Sequence, residues 1–319
     1  MLVRFWGTRG SIPVAPTSAA IQRKLVAALV KAAGRDLDTP EKAQHFVEHE
    51  LDFAVARTFG GNSSCVEIET GGGEYVLCDL GSGVRLFGIS VLARQGPARP
   101  NTFHVFMSHV HWDHIMGFPF FTPAYIPGNR IRIYGGHAEL DEAFRRQHGA
   151  PSFPVEFGQL GASIEFVRLE PGRVHEIAGL AVTLKRQRHS GDSYGYRFAR
   201  AGKTVVYATD SEHKLDAPEE TRAVVEFFRD ADLVIFDAQY SLAEAVSVKE
   251  DWGHSSNIVG VELAQMARVR HLCLFHHEPI LDDEQIASVL RETRRLEEIT
   301  RGEHRVEISA AYDGMEIGL

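Results

Sequence analysis

The segment NTFHVFMSHVHWDH, residues 101–114, constrains the fold of this chain more than any other feature. Its first half is an apolar, strand-like run, and His109, His111, Asp113 and His114 follow that run directly. Ligand-type residues two apart can face one concavity from an extended or tightly turned loop, whereas a helix scatters positions i and i+2. Imidazole and carboxylate together suit zinc, manganese or iron rather than a site of thiolates alone. The segment therefore asks for a core strand that ends at a polar mouth able to bind metal.

The rest of the chain supplies partners, again where apolar runs stop. His189 lies in RQRHSGDSYGYRF, Asp210 in VVYATDSEH, His254 in WGHSS and His276 in LCLFHHEP, with His277 as its neighbour. A single histidine in such a place is usually just a hydrogen-bonded residue, but the repeated placement at strand ends argues for one shared site. Cys65, Cys78 and Cys273 are scattered and lack metal-type spacing, so neither a disulfide framework nor a cysteine-closed structural zinc site is implied.

Short runs rich in Val, Ile, Phe and Tyr fill the first two thirds, from LVRFWG to KTVVYATD. Helix–strand alternation follows: PEETRAVVEFFRD and SNIVGVELAQMAR read as helices, ADLVIFDA and HLCLFHH as buried strands. DDEQIASVLRETRRLEEI reads as a helix with an Asp start signal. This order predicts a layered α/β architecture of sheets covered by helices. Residues 17–58 stand apart, with helical period, Ile21, Leu25 and Leu29 on one face, and a second helix starting at Thr39–Pro40. We read one domain over residues 1–319 with a helical insertion at about 17–58, the insertion serving packing, capping or a homodimer contact.

A formal net charge of −9 without any dense Lys/Arg block makes the chain a poor binder of polyanions, so a long nucleic-acid substrate is disfavoured. No apolar run approaches the roughly 18 residues of a membrane helix. Gly7 and Arg9 come too early for a signal-peptide core, so a cytoplasmic protein is expected.

HVHWDH resembles the HxHxDH signature of the metallo-β-lactamase fold hydrolases, and His189, Asp210 and His276 fall in the order of that family's later ligand motifs. EYVLCDLGSG is similar to the family's strand ending in Asp, which would set Asp79 beside the metals. The resemblance spans nearly the whole chain except the insertion. VRFWGTRGSIP, GGNSSC, DWGHSS and LFHHEP are most similar to the phosphodiesterase branch, which holds ribonuclease Z-like enzymes and cyclic-nucleotide phosphodiesterases.

The resemblance implies a four-layer αββα fold and two divalent metal ions, Zn²⁺ foremost, with Mn²⁺ or Fe²⁺ as alternatives. It implies that His109, His111 and His189 bind one ion, that Asp113, His114 and His276 bind the other, and that Asp210 bridges them. His276 is preferred to His277 by motif register. Asp113 would also orient or deprotonate a water, and His254 would protonate the leaving oxygen. Capping of the next helix, or packing beneath Trp252, is the plainer role for His254.

Two metals can clamp the oxygens of a displacement at phosphorus, so the expected activity is a phosphodiesterase acting on a small phosphodiester such as a cyclic nucleotide. The rivals are ribonuclease Z-like RNA processing, hydrolysis of a carbon ester, thioester or lactone, and a non-catalytic metal-binding protein. Ser190, Tyr194 and Arg197 offer donors to a phosphate, with one of Tyr194 and Tyr196 facing the site. Asp79 and Asp237 are candidates to orient metal-binding imidazoles. GFPFFTPAY reads as packed core, and WGTRG as a turn rather than a ligand cradle.

Overall fold

The structure is a computed structural model that describes residues 1–96, 99–214, 217–240 and 253–319. Among these, fourteen strands form two sheets of seven. The first sheet has the order β14-β1-β2-β3-β4-β5-β6, built from β1 (Leu2–Gly7), β2 (Cys65–Glu69), β3 (Tyr75–Cys78), β4 (Thr102–Phe106), β5 (Arg130–Gly135), β6 (Ser163–Arg168) and β14 (Glu316–Gly318). The second runs β13-β12-β11-β10-β9-β8-β7, from β7 (Val174–Ile177), β8 (Leu180–Gln187), β9 (Ser193–Arg200), β10 (Lys203–Ala208), β11 (Leu233–Asp237), β12 (His271–Phe275) and β13 (Glu307–Ala310).

Alternation along these strands explains the layering. One face of each sheet meets the other through Val3, Phe5, Phe106, Tyr196, Val205, Tyr207 and Phe275. The outer face of the first sheet is covered by α4 (Val84–Gln95), with Phe87, Phe103 and Phe121 in one cluster. The outer face of the second carries α7 (Pro218–Phe228), α8 (Asn257–Met266) and α9 (Asp283–Thr300) over Val206, Val234 and Leu272. Helix, sheet, sheet, helix is the layered α/β architecture read from the strand and helix order, in the four-layer αββα form that the resemblance implies.

Most of the strands and late helices lie where the sequence places them, and the Asp start signal is a capping box between Asp282 and Gln285 at the head of α9. Helices α4 and α6 (Leu140–Gln147) and strands β7, β13 and β14 escape the sequence reading. In α4 the buried Val84, Phe87 and Val91 alternate with exposed Leu86 and Ile89, so apolar residues surround the axis and blur the helical period.

The insertion folds as α1 (Ser18–Ala32), α2 (Pro40–His49) and α3 (Phe53–Ala56), with Thr17 and Thr39 capping the first two by accepting from backbone N–H groups. The face carrying Ile21, Leu25 and Leu29 points away from the chain, so it does not pack on its own fold.

The site sits where both sheets end. Strands β3 and β4 run parallel, as do β10, β11 and β12, and the chain leaves their carboxyl ends at Asp79, Ser108, Asp210, Asp237 and His276. Crevices at the carboxyl ends of parallel strands are the usual ligand sites of α/β sheets.

Candidate metal centre

Local backbone geometry aims these side chains. Asp79, Asp210 and His276 each follow a strand in the left-handed region, with φ of 59°, 49° and 62°. Asp and His tolerate that conformation better than most residues, and it turns the chain sharply off the strand. His109 and His111 lie in the irregular segment after β4, as expected. Asp113 and His114, however, lie on a one-turn helix, α5 (Trp112–Ile115), whose N-cap position is His111. The extended-loop expectation is therefore corrected for those two: one helical turn brings adjacent residues inward.

The candidate ligands converge. His109, His111 and His189 form one group, Asp113, His114 and His276 a second, and Asp210 joins His109 and His114 in a third, with ligand atoms within 4.8 Å of one another in each. Asp210 is central: Oδ1 lies 3.4 Å from Nε2 of His276 and 3.7 Å from Nε2 of His109, and Oδ2 lies 3.2 Å from Nε2 of His114. Nε2 of His276 is also 3.3 Å from Oδ2 of Asp113. The neighbouring His277 turns away, donating from Nε2 to the carbonyl of Ala311 at 2.8 Å.

The outward nitrogens are already committed. Nδ1 of His114 donates to Oδ2 of Asp79 at 2.7 Å, Nδ1 of His189 to the carbonyl of Gly253 at 2.8 Å, and Nδ1 of His276 to Oε1 of Gln239 at 3.0 Å. This fixes the tautomers so that Nε2 lone pairs point inward. Nε2 of His114 and of His276 then face each other at 3.3 Å, and Nε2 of His189 faces Nδ1 of His111 at 3.1 Å. Nε2 of His109 is buried without a hydrogen-bond partner. Converging lone pairs and an orphaned buried acceptor are costly, and a divalent cation relieves both, so these residues fit the metals that the fold implies.

The electrostatics agree with ligand roles. Burial holds His109, His111 and His189 below the usual histidine range, which keeps them neutral. Burial opposes ionisation of Asp210, yet the surrounding imidazoles of His276, His114 and His109 outweigh it and keep Asp210 a carboxylate. His114 is the exception: burial disfavours its cation, but Asp210, Asp113 and Asp79 raise it well above the usual value in the metal-free protein, so a metal held there would have to displace its inner proton.

The sequence profile of the beta-lactamase superfamily domain matches residues 75–277, which contain every one of these groups. The chain belongs to this superfamily. It is similar to ribonuclease Z of Thermoplasma acidophilum, 26% identical over 239 residues, covering 61% of this chain and 74% of that protein. Its fold is similar to the metallo-beta-lactamase fold protein YhfI of Bacillus subtilis, with a TM-score of 0.63 and 17% identity over 99% of this chain and 98% of the other. It is also similar to a diphosphatase of the PhnP family, with a TM-score of 0.60 and 19% identity over 100% and 97% of the two chains. This superfamily's fold implies bound divalent metal, and the helices among the described residues include none long and apolar enough to cross a membrane.

Several secondary expectations change. Arg197 is not a phosphate donor: its Nη1 donates to the carbonyl of Phe227 at 3.0 Å, beneath α7. Tyr196 is buried and donates to the carbonyl of Met107, and Tyr194 packs edge-on against His137. The cap of α8 is Ser256, not His254. Trp252 lies outside the described residues. Asp237 does more than end a strand, since Oδ2 accepts from Nδ1 of His254 at 2.8 Å. The WGTRG turn packs on the centre: a Cβ at Gly10 would stand 2.6 Å from the His276 ring, so only glycine leaves that imidazole its place. Phe118 and Phe121 of GFPFFTPAY are buried core, as read, while Phe120 is exposed.

Three supporting residues have no signal in the sequence. Gln239 holds His276 while donating to Oε2 of Glu278 at 2.9 Å. Tyr207 donates to Oδ2 of Asp79 at 2.7 Å across the two sheets, and the Ser108 hydroxyl donates to the same oxygen at 2.7 Å.

Proposed function

We propose that this chain is a hydrolase with a binuclear metal centre, acting on a small phosphodiester such as a cyclic nucleotide. The observation that carries the reading is the pair of ligand groups, His109/His111/His189 and Asp113/His114/His276, sharing Asp210 between them. Two divalent cations held there, Zn²⁺ or else Mn²⁺ or Fe²⁺, supply Lewis acidity to the phosphoryl oxygens and acidify a water.

The chain's own residues do the rest. Asp210 and the imidazole set fix where charge is neutralised, and Asp113 orients the attacking water. His254 is the proton donor. Its Nδ1 is occupied by Asp237, whose carboxylate overcomes burial and raises the imidazole to about 9, so that it is protonated at neutral pH. As water oxygen bonds to phosphorus, the bond to the leaving oxygen breaks and that oxygen takes the His254 proton. General acid catalysis of this kind typically contributes about 10²–10⁴-fold.

RNA processing is the second reading, supported by the likeness to ribonuclease Z. The net charge of −9 argues for the smaller substrate. The test is hydrolysis of bis(p-nitrophenyl) phosphate after chelation and after adding back zinc or manganese, with Asp210→Ala alongside. Metal-restored turnover that is lost in the variant is expected, followed by cleavage of cyclic nucleotides but not of a precursor tRNA. Metal binding without turnover on any phosphodiester would overturn the proposal and turn attention to thioesters and lactones.

A further inference from the structure

We propose that Tyr207 is a positioning residue of the metal centre, acting through Asp79 to hold one imidazole of each ligand group, His109 and His114, with Nε2 turned inward. The proposal rests on the metal reading of the site and not on any choice of substrate.

The surroundings of Tyr207 do not ask for a hydroxyl. The residue lies on β10, fully buried in the apolar cluster between the sheets, with its ring edge-on to Phe275. Phenylalanine would fill that space without a polar atom, and a buried hydroxyl costs free energy unless it is bonded. Here it has a specific partner, donating to Oδ2 of Asp79 at 2.7 Å. Burial, reinforced by that carboxylate, holds the phenol well above the ordinary tyrosine range, so it remains a donor.

Asp79 passes the constraint on to the ligands. Its Oδ2 also accepts from Nδ1 of His114 and from Oγ of Ser108, both at 2.7 Å, and its Oδ1 accepts from the Ser108 backbone N–H at 2.7 Å. With its proton given to Asp79, the Ser108 hydroxyl can only accept from Nδ1 of His109, 3.0 Å away. The His109 proton is then on Nδ1, and Nε2, buried without a hydrogen-bond partner, carries the free lone pair. His109 and His114 belong to different ligand groups. One carboxylate therefore orients an imidazole in each group, His114 directly and His109 through Ser108. Such partners of the outer nitrogen fix the tautomer and ring orientation of a metal-binding histidine.

Tyr207 differs from the other donors in where it comes from. Ser108 and His114 follow β4, the strand that pairs with β3 and so lies beside Asp79. Tyr207 comes from the opposite sheet, on the strand that leads into Asp210. Its bond ties the strand delivering the central carboxylate to the strand ends delivering the two imidazoles, so the three keep one spacing. Without it, Asp79 is held only from its own sheet.

Tyr196 provides the matched comparison. It stands opposite Tyr207 on β9 and crosses to the first sheet in the same way, but donates to the carbonyl of Met107 at 2.7 Å. The test is the zinc affinity of the full chain, measured by competition with a chromophoric chelator, beside melting of the chelated protein. Tyr207→Phe should weaken zinc binding about 10–100-fold, as loss of an outer partner of the ligands does. Tyr196→Phe should leave it unchanged. Action through Asp79 also predicts non-additivity: Tyr207→Phe combined with Asp79→Asn should bind zinc no more weakly than Asp79→Asn alone. Wild-type affinity in Tyr207→Phe, equal losses in the two tyrosine variants, or additive losses with Asp79→Asn would each overturn the proposal. So would a Tyr207→Phe chain that zinc does not restore to the folded state, which would make the hydroxyl an element of stability alone. A wild-type chain that binds no zinc would remove the metal reading, and this proposal with it.

Discussion

Replacing Asp237 by asparagine should move the alkaline limb of the kcat profile down by about two and a half pH units, without removing the metals. The amide oxygen can still accept from Nδ1 of His254, which stands 2.8 Å from Asp237 Oδ2, but the negative charge is gone. Burial depresses the His254 cation, and Asp237 is the largest influence holding it up to about 9; Asp210, 4.0 Å away, and Asp113 contribute less. Without the Asp237 charge, burial is opposed only by Asp210 and Asp113, and the expected value returns to about the ordinary 6.5. At pH 8 the protonated fraction then drops from about nine tenths to about 3%, roughly a thirtyfold loss of the competent form. Bound cations lower the imidazole in both proteins, so the displacement between them is the quantity to measure. The sign for stability runs the same way. A pKa raised on folding stabilises the protein fully below about 6.5, and that contribution is lost as pH rises toward 9. The assay is kcat from pH 6 to 10 on a phosphodiester with an alkoxide leaving group, with bis(p-nitrophenyl) phosphate as the control. Its leaving group needs little protonation, so its profile should move less. An alkaline limb that stays put in Asp237→Asn while kcat falls uniformly would refute His254 as the acid.

Two further perturbations separate neighbouring roles. His276→Ala should lose metal, measured by elemental analysis of the dialysed protein. His277→Ala should retain metal but lose about 2 kcal/mol of stability, because it empties a buried site and strands the Ala311 carbonyl; equal metal content in both would contradict the register. Chelation should lower the melting temperature, since metal at about 100 times its dissociation constant stabilises by about 2.7 kcal/mol. His109→Ala should shrink that difference by deleting an inward imidazole nitrogen that has no hydrogen-bond partner, and an unchanged chelator effect would count against its role.

What the sequence discloses is an abrupt change of chemistry at the end of an apolar run. Asp210 after VVYAT and His276 after LCLF stand out because burial and charge conflict there, and the structure places both where parallel strands stop. Residues whose roles arise from register between distant segments carry no such mark. Tyr207 meets Asp79 across 128 positions, and Gln239 meets His276 across 37; each is an ordinary residue until two strands set it against its partner. Arg197 shows the opposite error, a charge near a ligand motif that the strand's alternation turns toward α7. Helix α1 marks the limit most plainly. Periodicity finds its apolar stripe but is symmetric with respect to inside and outside, and in most surface helices hydrophobic burial decides the matter. Here Lys24 turns inward to Asp283, far along the chain, while the exposed Lys31 pairs with Asp52 at the head of α3. The polar side of a helix can thus set its orientation even where the apolar stripe is left facing solvent.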